Sequence, residues 1–188
     1  MKIKTQSIET DAQRQSVAEA RRKVSKSLDT WFDSLPDLLP ADALEEAPQN
    51  DTSPEKEKLQ LPSDFSAEAR TRLGLITLAR VEYQLRCEQL YDALEKLRGT
   101  LGLKSFLIRR KYKLASEQGA LLRSETEIDR VGRQVLKWKE VYQRGWRALK
   151  ELEGSRGELM ADDPGKLLLE LRDADCVMLS DWLDEHRF

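Results

Sequence analysis

A chain of 188 residues, 39% hydrophobic and 35% charged with a net charge of −2, has the length of one domain with tails and suits a narrow helical bundle better than a thick core. No apolar run approaches the roughly 20 residues that span a bilayer, and Met1 to Thr10 is polar, without the apolar stretch of a signal peptide. A soluble, intracellular protein with no membrane partner is therefore expected.

Glu, Lys, Arg, Leu and Ala fill the periodic segments, Gly and Pro fall largely between them, and no alternating β-branched run offers a strand, so the expected fold class is all-α. The first element is a helix from about Thr10 to Ser34. Val17, Val24, Leu28, Trp31 and Leu35 are spaced seven, four, three and four apart on one helical face, and Pro36 stops it. Residues 1–35 thus form an N-terminal amphipathic helix. Residues 36–65 carry Pro40, Pro48 and Pro54 among Asp42, Glu45, Glu46, Asp51, Glu55 and Glu57, with few aliphatics to bury, and read as an acidic disordered linker.

Ser66 is suited to cap the next helix, along which Leu73, Ile76, Tyr83, Cys87, Leu90, Leu94, Leu97 and Leu101 alternate by threes and fours, with Arg80 out of pattern. A second series, Ile128, Val131, Val135, Trp138, Tyr142, Gly145, Leu149 and Leu152, repeats the alternation until Gly154 and Gly157 end it. Two matched seams predict a long antiparallel, coiled-coil-like hairpin over residues 66–154, paired through these positions. Between the seams, Gly102 to Gly119 has two readings. Either the first arm continues, with a bend, to a turn near Gly119, giving arms of roughly 45 residues and about 65 Å, or Gly99 and Gly102 break it early. Continuation fits the pattern better.

Asp163 before Pro164 reads as an N-cap with Pro at the first helical position, and Leu167, Leu171, Ala174, Met178 and Trp182 share a face. Residues 155–188 are expected to form an acidic helical segment packed, like the N-terminal helix, on the hairpin.

Cys87 and Cys176 lack a second cysteine or a histidine at ligand spacing, so neither a zinc site nor a disulfide framework is expected. The one histidine, His186, sits two residues from the end, and no glycine-rich phosphate loop, nucleophile elbow or HExxH motif is present. The C-terminal acids Asp173, Asp175, Asp181, Asp184 and Glu185 lack the closing loop of a cation cage. No catalytic residue, metal, cofactor or small-molecule substrate is assigned. Tyr83, Trp138, Tyr142 and Trp146 fit helix packing better than base stacking.

Charge is uneven. From Lys104 to Lys150, 13 Lys and Arg face five Asp and Glu, a local net of +8, whereas Glu158 to Phe188 holds nine acids and three bases, a net of −6. Arg109, Arg110, Lys111 and Lys113, with Arg130, Arg133 and Lys137 on the facing arm, are the candidate phosphate contacts of a nucleic-acid-binding tip. The bland alternative is neutralisation by the acidic tail. A second cluster, Arg21, Arg22, Lys23 and Lys26, reads as a nuclear-import signal or, with Glu19 and Asp29 diluting it, as a solvated helix face.

Leu61-Pro62-Ser63, Arg72-Leu73-Gly74-Leu75, Glu82, Leu85-Arg86, Asp92-Ala93-Leu94, Leu97-Arg98, Lys104, Arg123, Ile128 and the stretch from Tyr142 through Ala148-Leu149 form a distributed pattern. Over roughly Leu61 to Leu152 it resembles the helical C-terminal region of fungal Kyakuja-Dileera-Zisupton transposase-like proteins. The resemblance implies that DNA cutting and joining belongs to a separate RNase H-like domain whose three acids hold divalent metal. Nothing in this chain matches that domain, so no catalytic residue carries over. The expectation is a non-enzymatic helical module of a transposase-derived protein, acting by self-association or protein docking. A DNA-binding, nuclear module is the alternative. Whether the arms pair within one chain or between chains stays open.

Overall fold

The computed structural model describes residues 11–46, 53–113, 118–153 and 164–176. Within them run five α-helices: α1 (Asp11–Ser34), α2 (Ala41–Glu45), α3 (Ala67–Arg72), α4 (Ile76–Lys113) and α5 (Gln118–Leu152). Short 3-10 turns complete the order, and no strand occurs among the described residues. The chain divides into two units, with the boundary between Ala79 and Arg80 in the first turn of α4.

The first unit is built on Leu35, Leu39 and Ala43, which recur every four residues and converge with Phe65, Leu73 and Leu75. Trp31, Phe32, Leu44, Ala69 and Leu78 pack around them. The reading of residues 36–65 as a disordered linker is therefore corrected for the described residues 36–46 and 53–65. Its acids and prolines masked a short apolar period, and Ala43 is fully buried. Local bonds set the path. Trp31 Nε1 donates to the Leu59 carbonyl at 2.9 Å, and the Asp64 carboxylate accepts the Leu61 amide at 3.1 Å. Ser66 caps α3 by accepting the Ala69 amide at 3.2 Å. Arg70, 1% exposed, donates to the Phe65 and Pro62 carbonyls at 2.6 and 3.3 Å and so ties α3 to the turn before it. Upstream, α1 buries only its last turns: Leu28 is buried, while Val17 and Val24 of the expected face are exposed.

α3 and α4 are separate helices. The Leu75 amide bonds the Arg70 carbonyl at 2.8 Å and the Gly74 amide bonds that of Thr71 at 3.3 Å, with Gly74 at φ +69. This is a Schellman stop, which needs a left-handed residue at that point. Leu73, expected on the pairing seam, lies instead in the core of the first unit, because the stop turns it away before α4 begins.

In the second unit α4 and α5 pack together. At 38 and 35 residues they are roughly 57 and 52 Å long at 1.5 Å per residue. α4 buries Tyr83, Cys87, Leu90, Ala93, Leu97 and Leu107, and α5 buries Val131, Val135, Tyr142, Leu149 and Leu152. Three points locate the contact: Gly145 lies against Leu90 and Gln89, Gly132 beside Lys104 Nζ, and Lys111 pairs with Glu125 at 2.6 Å. α4 runs unbroken through Gly99 and Gly102 to Lys113, so the early break does not occur. Gly119 falls inside α5 rather than in a turn.

The expected C-terminal helix is corrected in its described part. Residues 164–176 form two 3-10 turns, Pro164–Leu167 and Asp173–Asp175, joined by non-helical backbone. Leu167, assigned to the packed face, is 80% exposed, and Leu168 is buried in its place. Met178 and Trp182 lie outside the described residues.

Glycine substitutions separate these features. Gly99→Ala and Gly102→Ala, with nothing near the added Cβ, are expected to stabilise by roughly 0.5–1 kcal/mol each in chemical denaturation. Gly74→Ala costs about 1–2 kcal/mol from its backbone conformation alone. Gly145→Leu, whose Cβ would stand 3.1 Å from Leu90 Cδ2, costs about 1–3 kcal/mol by overpacking. Loss of stability in Gly102→Ala contradicts a continuous α4.

Candidate interaction surfaces

The expected pairing residues divide by burial. Tyr83, Leu90, Leu97, Val131, Val135, Tyr142, Leu149 and Leu152 are buried, and Ile76, Leu94, Leu101, Ile128 and Trp138 are half-buried. Ala93 and Thr100 are buried beside the half-buried Leu94 and Leu101. An unsupercoiled helix drifts by about 20° per heptad against a strict 3.5-residue repeat, which brings such neighbours into the contact.

α4 is apolar on a second side as well. Val81, Leu85, Leu103 and Phe106 are 48%, 65%, 44% and 59% exposed. At about 100° per residue they lie within roughly 60° of one another, opposite Tyr83 and Leu90. Glu88, Asp92 and Glu95 interrupt this stripe, and exposed Arg109 and Arg110 close it.

The candidate phosphate contacts are not equivalent. Lys111 is engaged by Glu125, Arg130 approaches Glu127 at 3.9 Å, and Lys137 lies 5.2 Å from the Trp138 ring centre. Arg109, Arg110 and Arg133 are exposed, with no ion pair among the described residues. Lys113 ends α4, and its side chain lies outside the described set. In the N-terminal cluster Arg21 is tied to Glu55 at 2.5 Å, while Arg22, Lys23 and Lys26 are exposed.

A flank of α5 that adjoins its α4-facing side holds the chain's own tail, an arrangement not read from the sequence. Tyr142 Oη donates to the Leu169 carbonyl at 2.6 Å, Gln143 Nε2 to that of Leu171 at 3.0 Å, and Trp146 Nε1 to that of Leu168 at 3.3 Å. Lys139 pairs with Asp173 at 2.5 Å. These four side chains stand at i, i+3, i+4 and i+7, one stripe of the helix. Burial, then the charge of Tyr91, pushes the Tyr142 hydroxyl up, which keeps it a proton donor. The spacing of these four residues is the sequence signal for the stripe; packing accounts for Tyr142 and Trp146 only in part, and the sequence assigns no role to Lys139 or Gln143.

Cys87 is 1% exposed, and the Cys176 thiol is pushed up chiefly by burial, the opposite of what a thiolate nucleophile needs. Among the described residues no group of three or more His, Cys, Asp or Glu could hold a metal, and no helix is long and apolar enough to cross a membrane. Comparison with protein-family models, with curated proteins and with solved structures gave no match.

In the first unit, hydrogen bonding to Arg72 holds Glu46 below the usual carboxylate range, and hydrogen bonding to Arg21 does the same for Glu55. A depressed folded-state value means stabilisation that is present above the ordinary glutamate range and lost as pH falls through the depressed one. Amide-exchange protection of residues 53–59 is expected to drop across that acid window. Glu55→Gln should flatten the drop, and an unchanged profile in that variant contradicts the role given to Arg21.

Proposed function

We propose that this chain is a non-enzymatic helical interaction module that mediates self-association, and that it belongs to a transposase-derived protein. The affiliation rests on the residue pattern between Leu61 and Leu152, which resembles the helical region of the Kyakuja-Dileera-Zisupton transposase-like proteins. The module is an antiparallel hairpin of α4 and α5. Its support is the order of contacts: from Leu90 to Lys104 to Lys111 the residue number rises by 14 and 7, while the partner falls from Gly145 to Gly132 to Glu125, by 13 and 7.

The observation that carries the functional reading is the two-sided use of α5. One face is buried on α4, and the flank beside it, sharing Tyr142, grips a separate segment through side-chain donors aimed at its carbonyls. Surfaces that hold backbone in this way are suited to binding chain, not to converting a substrate. Light scattering coupled to size exclusion is expected to give a dimer or larger species at moderate salt. A monomer at every accessible concentration contradicts self-association.

A second reading, nucleic-acid binding, is favoured by one feature. Exposed Phe106 stands beside Arg109 and Arg110, an aromatic face with two cations that bear no ion pair among the described residues. With Arg133 this gives about three phosphate contacts, for which affinity for nonspecific duplex DNA falls roughly 40-fold between 50 and 200 mM salt. Arg109→Ala with Arg110→Ala should remove most of that slope. Binding indifferent to salt contradicts the phosphate-contact reading.

A further inference from the structure

The segment on α5 is recognised mostly by its main chain. Trp146, Tyr142 and Gln143 donate to the carbonyls of Leu168, Leu169 and Leu171, and these bonds do not depend on which side chains the segment carries. Two features add selectivity and direction. Leu168, 4% exposed, is the residue the segment buries, and Asp173, five positions on, reaches Lys139. Lys139 is 16% exposed in its side chain while Asp173 is 87% exposed, so the cation is the embedded member of the pair and the carboxylate the exchangeable one. The outward leucines of the segment, Leu167 and Leu169, are 80% and 75% exposed, so on that side it remains an uncovered apolar ribbon.

We infer that the stripe Lys139, Tyr142, Gln143 and Trp146 is a peptide-acceptor site, and that its partner in trans is the segment Leu168–Asp173 of a second copy of this chain, exchanged for the resident one. This deepens the self-association reading and rests on it. Each bond the segment makes within its own chain is available, unchanged, to the same segment of a neighbour, so reciprocal exchange assembles two copies without a new interface. Charge complementarity holds the segment equally well in a neighbour as in its own chain: the region from Lys104 to Lys150 carries a net +8, and the region from Glu158 to Phe188 a net −6. A foreign peptide would have to supply the same chemistry, namely a non-helical backbone with free carbonyls, a leucine to bury and a carboxylate five positions later.

The test uses the full chain and a fluorescently labelled peptide of residues 164–176. Leu168→Asp in the chain weakens its own segment and is expected to open the acceptor. The peptide should then bind this variant about tenfold or more tightly than the wild-type chain, and Gln143→Ala in the same background should weaken binding about 3- to 10-fold. Trp146→Phe, which keeps an aromatic side chain but removes the N–H donor, should likewise weaken peptide binding in this background, and unchanged helicity by circular dichroism controls for folding. The Leu168→Asp chain should also lose its self-association. Absence of peptide binding to this chain overturns the acceptor site. Self-association that persists undiminished in it overturns the exchange while leaving self-association itself intact. A wild-type chain that is monomeric throughout removes the exchange together with the reading on which it rests.

Discussion

The second unit depends on the packing of α4 against α5. Most of a helix's stability in a folded protein comes from covering its apolar face rather than from propensity, and this holds for helices of 38 and 35 residues with long apolar faces. Here the cover is mutual. Tyr83, Leu90, Leu97 and Leu107 on one helix and Val131, Val135, Leu149 and Leu152 on the other are withdrawn from water, and Gly145 admits Leu90 where a larger residue would hold the helices apart. That packing also fixes which residues face outward. Once Val135, Tyr142 and Leu149 point to α4, the side chains of Lys139, Gln143 and Trp146 are left to meet the tail. Tyr142 serves both sides, its ring buried and its hydroxyl on the Leu169 carbonyl.

The long period-seven pattern was legible because burial along a helix leaves a regular trace, and Tyr83, Leu90, Leu97, Val131, Val135 and Leu149 carry it. The first unit left a weaker trace. Leu35, Leu39 and Ala43 make only two helical turns, interrupted by Pro36 and Pro40 and surrounded by acids, so composition pointed to disorder. The stop at Gly74 was hidden for a different reason. Leu73 and Ile76 continue the three-four spacing across it, and a glycine inside an apolar pattern does not announce whether its φ is positive. Gly99 and Gly102 show the converse, since both lie within a continuous helix.

The acceptor stripe on α5 was the least legible feature. Three of its four ligands are main-chain carbonyls, which have no sequence signature, and its donors include a lysine and a glutamine of the kind that normally face solvent. The tail was expected to be helical from the spacing of Leu167, Leu171 and Ala174. Side-chain donors that take the carbonyls of Leu168, Leu169 and Leu171 satisfy those groups outside a helix. The basic region is likewise not one surface. Neighbouring carboxylates occupy Lys111 and approach Arg130, whereas Arg109, Arg110 and Arg133 bear no ion pair among the described residues.

An antiparallel α4–α5 pair within one chain can be read from distances between spin labels at Asp92, Arg144 and Arg130, all exposed, in a chain carrying Cys87→Ala and Cys176→Ser and diluted with unlabelled chain. An antiparallel register places Asp92 level with Arg144 and about 21 Å farther along the axis from Arg130, so the 92/144 distance should be the shorter of the two and both should be unaffected by dilution. A 92/130 distance equal to or shorter than the 92/144 distance, or a 92/144 signal that disappears on dilution, contradicts the account.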